Sequence, residues 1–254
     1  VIDKEAAYRQ IFGKTGYNDH RIRMAMSFLY QLTGQFLAIK AFLGNDVAYR
    51  RQLAAVFRER RMPEQAEKTN QEAFALQQNQ PLRNADFMEE RYQILLEKHR
   101  QQIETQRIEQ PALQEQSDQL DQAFLARKLW QACAMLSHQN VSNASYHFGM
   151  LDAAIQFAEQ SGILELPAIA IYYHCYQTLL NPVQSTHFQL FRKYLTDCAG
   201  QFPAEEIRDL YILAINYCIR QYNAGNLEYL SQQFDLYKEG LERNYFLSEG
   251  QISR

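Results

Sequence analysis

PAIAIYYHCYQTLL, residues 167–180, and IRDLYILAINYCIRQY, residues 207–222, decide the fold. Pro167 suits a helix start, where its fixed φ fits the first turn and its missing N–H leaves no bond unmade. Beyond that start, apolar side chains stand at nearly every angle around the axis rather than along one stripe. A helix of this kind must be contacted from several sides, as happens when helical hairpins stack. The segments that follow are different: HFQLFRKYLTDC has one stripe, Phe188, Phe191, Leu195 and Cys198, and LEYLSQQFDLYKEGL has one, Leu227, Leu230, Phe234 and Tyr237. Each reads as an outer helix packed by one face.

Working outward, a long helix, a short turn and a shorter helix recur three times: 120–139 with 145–160, 167–180 with 184–200, and 204–223 with 226–242. Comparable positions Trp130, Tyr173 and Ile212 lie 43 and 39 residues apart, a spacing suited to two-helix repeats. The continuous core is expected to hold Trp130, Tyr172, Phe191 and Phe234. The fold class is therefore all-α: stacked antiparallel helix pairs in a tetratricopeptide-like α-solenoid over 120–254, preceded by an N-terminal helical subdomain, 1–61, and Gln-rich connecting helices, 62–119.

The 254 residues are 46% hydrophobic, with only 10 Gly and 6 Pro, a balance that supports a real core and favours helix throughout. In the N-terminal part, Asn18 or Asp19 can cap a helix reaching Leu43, on which Ile22, Met26, Leu29, Leu32, Phe36, Ile39 and Leu43 recur at three- and four-residue steps. One face of that helix is expected to be buried. Pro63 opens a further helix, and a long amphipathic one runs from Asn84 to Gln110, where Pro111 interrupts it. The glutamines of 62–119 alternate with both charges and read as solvated helix faces.

No apolar run approaches the roughly 18 residues of a membrane span, and Val1–Tyr8 has no apolar core of a signal peptide. Val1 stands where an initiator Met would, which leaves room for an upstream segment. Cys133, Cys175, Cys198 and Cys218 sit in apolar helical patterns without a CxxC pair, as reduced thiols of a cytoplasmic protein do. No two of the six histidines stand at i, i+3 or i, i+4, so local metal-ligand spacing is missing.

The last half resembles divergent tetratricopeptide repeats, although the W-x2-L-G-x2-Y signature is absent from all three units. IFGKTGYNDHRIRMAMSFLYQLTGQFL, residues 11–37, with LDQAFLARKLWQACAMLSHQNV, residues 120–141, is similar to a family of uncharacterised helical-repeat proteins of Bacteroidota. That resemblance implies a helical-repeat fold and carries no catalytic residue with it.

Gly13-Lys14-Thr15 does not make a phosphate loop, which needs a glycine-rich nest after a strand, G-x-x-x-x-G-K-[ST]. The same region suggests a second class of function. Residues 1–61 hold eleven Lys/Arg against five Asp/Glu, +6, while the rest carries −9, and a turn followed by a helix starting at His20 can be the later half of an incomplete helix-turn-helix unit. Lys14, Arg21 and Arg23 are then the nucleic-acid contacts. An enzyme is the third class. Glu89-Glu90, Glu205-Glu206 and Asp118/Asp121 are explained by helix starts and solvated faces, and neither G-x-S-x-G nor H-E-x-x-H occurs. No catalytic residue, metal ligand or cofactor is assigned.

The favoured reading is an interaction scaffold whose partner, a protein or peptide, lies along the polar stripes of successive first helices. Those stripes are Lys128, Gln131 and His138, then His174 and Gln177 beside Tyr173, then Asn216 and Arg220 beside Tyr217, with the two tyrosines as aromatic anchors.

Overall fold

The computed structural model describes residues 3–13, 16–105, 110–142 and 144–246, except for the side chains of 104, 105 and 110–112. Lys14 lies outside the described residues. Eleven α-helices and no strand are found among them: α1 Lys4–Phe12, α2 Asp19–Gly44, α3 Asp46–Glu59, α4 Pro63–Asn79, α5 Ala85–Thr105, α6 Gln110–Val141, α7 Leu151–Ser161, α8 Pro167–Leu180, α9 Ser185–Asp197, α10 Ala204–Asn223 and α11 Tyr229–Glu242. No described helix is long and apolar enough to cross a membrane.

The helix starts obey local chemistry. The Asn18 side chain accepts from the Arg21 N–H and the Asn45 side chain from the Ala48 N–H, each satisfying a first-turn donor that has no partner within its helix. Pro63 and Pro167 begin α4 and α8. Gly162 ends α7 at φ 73°, the left-handed conformation that favours glycine. Helix α6 is described from Gln110, one residue before Pro111; residues 106–109, where an interruption was expected, lie outside the described residues. Because α6 runs unbroken from 110 to 141, the boundary read at 119/120 falls inside one helix.

Helix α8 is packed by α6, α9 and α10, which explains its apolar circumference. Ala168, Ile169, Ala170, Ile171, Tyr172 and Cys175 all lie within it at 2% exposure or less. Around it the main core gathers Leu125 and Leu129 from α6, Phe188, Phe191 and Leu195 from α9, and Leu210 and Tyr211 from α10. A small second core, Val47, Ala73 and Ile94, joins α3, α4 and α5. The two parts are tied by polar contacts at the α5 start: Arg83 N–H donates to the Gln201 carbonyl at 2.7 Å, and Asn84 Nδ2 donates to Glu206 Oε2 at 2.8 Å. The other oxygen of Glu206 accepts from the Tyr172 hydroxyl, whose burial and carboxylate neighbour push its pKa up.

Two expected core residues are not in the core. Trp130 is 49% exposed because Ala126, Leu129 and Cys133 hold the inward face of α6, one position round the helix. Phe234 is 68% exposed, and Leu227, Leu230 and Tyr237 face outward with it. Helix α11 instead packs through Tyr229, Leu236 and Gly240, with Arg192 of α9 reaching Asp235 at 3.5 Å and Glu239 at 3.7 Å. The following Tyr245 and Phe246 turn back to meet Tyr211, so small Gly240 and two returning rings occupy the inner side that the apolar stripe was expected to fill. Helix α2 departs further: Ile22 is its one buried residue, and α3 is its principal contact. Tyr172 and Phe191 stand in the core as expected.

Truncating the buried ring in Phe191→Ala should lower stability by roughly 3–5 kcal/mol, whereas Trp130→Ala and Phe234→Ala should each cost less than about 1 kcal/mol. Urea denaturation midpoints of the three variants check this.

Candidate functional site

The residues expected to line a groove are separated by the packing. On α6, Gln131 is exposed and Lys128 is half-buried; on α10, Asn216 and Arg220 are exposed. Arg220 Nη1 donates to Asn140 Oδ1 at 3.4 Å, which brings the ends of α6 and α10 together. His138 stays at the surface, its Nδ1 3.1 Å from the Ser142 hydroxyl and 2.8 Å from that of Tyr146.

The two aromatic anchors are buried packing residues. Tyr173 is 7% exposed and donates to Glu159 Oε1 at 2.7 Å; burial, then the carboxylate, pushes its hydroxyl up to about 12. Tyr217 is 3% exposed, donates to the Pro182 carbonyl at 3.0 Å and lies 4.4 Å from the Phe188 ring, centroid to centroid. Between these helices α9 covers the stripe of α8. His174 Nδ1 sits 3.1 Å from His187 Nδ1, and its ring stacks on Tyr194 at 5.7 Å. Gln177, also half-buried, accepts from Asn181 Nδ2 at 3.4 Å. The polar stripe of α8 expected to line a groove is thus the edge on which α9 packs.

The basic N-terminal residues are engaged locally. Arg21 places its guanidinium 4.4 Å over the Phe12 ring, and Arg23 pairs with Asp19 one turn away. The exposed length of α2 beyond them is apolar, not basic: Phe28, Tyr30, Leu32 and Phe36 are all exposed. A base-reading surface would need donors and acceptors there.

A more enclosed feature lies in the Gln-rich region. Helices α4 and α5 flank a cleft of about 420 Å³ lined by Phe74 and Ile94, by Asn70, Gln71, Gln101 and Gln102, and by Glu67 and Lys98. It is built from close helix approach: Ala66 and Ala73 are fully buried, with Thr69 and Asn70 between them. Arg58 of α3 reaches Glu97 of α5 at 2.8 Å, a nearly buried ion pair that fixes the helices beside the cleft. Gln101 Nε2 donates to the Ala66 carbonyl at 3.3 Å and links the cleft walls.

Asn70 is the unusual member. It is 4% exposed, and its Nδ2 donates to the Ile94 carbonyl at 3.3 Å, which fixes the amide orientation because a carbonyl can pair only with the NH2 end. Its Oδ1 is buried without a partner. An acceptor left in that state costs about 1–3 kcal/mol, and because the atom is closed to solvent that cost falls on the packing of α4 against α5. Chemically the cleft lining can match peptide-like groups: amide side chains offer donors and acceptors, Phe74 and Ile94 are apolar, and one side chain of each charge is present. Among the described residues no group of three or more His, Cys, Asp or Glu side chains is placed to hold a metal ion. The sequence signal for this cleft is small: Ala66, Thr69, Asn70 and Ala73 share one helix face, and a polar residue within a small-residue stripe marks a buried amide better than glutamine content does.

Burial, then the His187 charge, lowers His174 to about 4 from an ordinary 6.5. The native state therefore holds it neutral while the unfolded chain takes up its proton at higher pH. Its share of stability is complete above about 6.5, falls as pH drops below that value and levels off near 4. Relative to the wild type, His174→Asn should flatten the melting temperature–pH curve across that window.

No family model, curated protein or solved structure matches this chain, so its functional reading rests on the geometry of these surfaces.

Proposed function

We propose that the chain is a protein–protein interaction scaffold, its helices stacked as antiparallel pairs in a tetratricopeptide-like α-solenoid, and that the α4–α5 cleft receives an extended segment of the partner. The succession of contacts supports the architecture: α6, α8 and α10 meet in order, while α8 and α10 pack on the helices that follow them, α9 and α11. The observation that carries the binding reading is the cleft itself, about 420 Å³ between α4 and α5, where the amides of Gln71, Gln101 and Gln102 stand beside apolar Phe74 and Ile94. Those glutamines pair with peptide groups of an extended chain without demanding a particular sequence. Side-chain preference then comes from Phe74 and Ile94 and from Glu67 and Lys98, which favour a segment carrying an apolar anchor and both charges. The exposed Arg220, Asn216 and Gln131, with half-buried Lys128, provide the comparison surface on the repeat helices.

Display of a random peptide library against the full chain, followed by affinity measurement on selected peptides, tests the assignment. Gln71→Ala should weaken binding about tenfold, corresponding to one lost hydrogen bond of about 1.4 kcal/mol, without lowering the melting temperature, because the side chain is exposed. Arg220→Ala should leave affinity unchanged. The opposite pattern, with loss for Arg220→Ala and none for Gln71→Ala, would transfer binding to the repeat helices and end the cleft assignment.

A further inference from the structure

Two exposed seams at different ends of the helix series have the same form. On α2, Leu29, Leu32, Phe36, Ile39 and Leu43 follow one another at steps of three, four, three and four. On α11 and the turn leading into it, Leu227, Leu230, Phe234, Tyr237 and Leu241 repeat those steps, with the same residue at four of the five positions. That alternation is the a/d seam along which two helices pack knobs into holes. All ten are 43–72% exposed, so neither seam is covered by the described residues. A contiguous apolar seam of this regularity calls for a covering.

We propose that a second copy of this chain covers them head to tail: α2 of one copy lies on α11 of the next. Three observations select this occupant. The seams match in length and in residue at four of five positions, so Phe36 and Phe234 form the centre whichever way the helices run. Their surroundings are complementary in charge. From residue 24 to 44 the one charged side chain is Lys40, whereas the α11 seam begins beside Glu228 and ends beside Glu242, with Asp235 and Glu239 held from behind by Arg192. Two α2 seams facing each other would instead bring the Lys40 of both copies to one seam with no acid between residues 24 and 44 to answer them. The ten side chains expose roughly 1,100 Å² in sum, above the ~1,000 Å² that a specific interface needs, and Met26, Phe28 and Phe42 widen the α2 side.

The attachment of each helix suits the role. Helix α2 is held at its start, where Ile22 is buried and Arg21 covers Phe12, and at its end, where Phe42 meets Tyr49 at 6.2 Å, leaving the length between bare. Helix α11 is fixed from behind by Arg192 and by Tyr211, whose hydroxyl donates to Glu239 Oε2 at 3.3 Å, so its seam is a firm outward surface. Because the two patches differ, the contact is heterologous and closes into a ring or continues as a filament. It does not rest on the α4–α5 cleft.

Sedimentation velocity of the full chain over a hundredfold concentration range reads the assembly, with helical content and melting temperature as folding controls. Wild-type mass should rise with concentration from the 29.8 kDa monomer beyond two chains. Phe36→Glu and Phe234→Glu change exposed residues, and each variant alone should remain monomeric with an unchanged melting temperature. Mixed one to one, they retain one intact α11 and one intact α2 seam and should form a complex that stops at two chains. Lys40→Glu should weaken wild-type assembly at least tenfold. The proposal is overturned if the wild type stays monomeric throughout, if Phe234→Glu alone still dimerises through α2, or if the mixture forms no heterodimer. Ile39→Glu and Leu230→Glu replace any variant whose helical content falls.

Discussion

Helix α8 leaves almost no side for water, and the arrangement around it follows from that constraint. Its apolar circumference requires neighbours on several sides; α6, α9 and α10 supply them. The requirement also reaches polar groups: Tyr172 cannot be buried there with its hydroxyl unpaired, and Glu206 at the start of α10 accepts it. Glu206 in turn accepts from Asn84, so one buried tyrosine helps fix where α5 begins relative to α10. A hydrophobic requirement on one helix thus sets a polar junction between distant parts of the chain.

The same burial explains why the polar edge of α8 is not a recognition stripe. His174 and Gln177 are ordinary water-compatible residues, but α9 lies over that edge and turns one of them into half of a histidine pair. Elsewhere the balance runs the other way. In α4, Asn70 sits in a stripe of small residues where close helix approach excludes water, yet the cleft beside it leaves its carbonyl oxygen unanswered. Burial without a partner, rather than exposure of polar groups, is what distinguishes this place from the many solvated glutamines around it.

Apolar periodicity has two meanings in this chain. On α9 the stripe Phe188, Phe191 and Leu195 points into the core, as its spacing suggests. On α11 an equally regular stripe points out, because Leu236 and Gly240 make the inward contact and the returning Tyr245 and Phe246 fill the space behind. On α2 apolar side chains cover most of the circumference and nearly all remain exposed. Spacing reports that a face wants an apolar neighbour; it does not say whether that neighbour belongs to the same chain.

The sequence by itself determined the helical class, most helix starts and the burial of α8, since capping side chains, proline positions and an apolar circumference act within one helix and need no distant contact. Tyr172 and Phe191 were legible as core for the same reason. Only the tertiary structure decided that Tyr173 and Tyr217 are packing residues, that Trp130 and Phe234 face outward, and that α6 passes unbroken through residue 120. A rotation of one residue is about 100° around a helix, enough to exchange core for surface, and local pattern does not fix it once several faces are apolar. The cleft was hidden for a related reason: its walls come from α4 and α5, and the isolation of Asn70 Oδ1 exists only when the two helices are packed together.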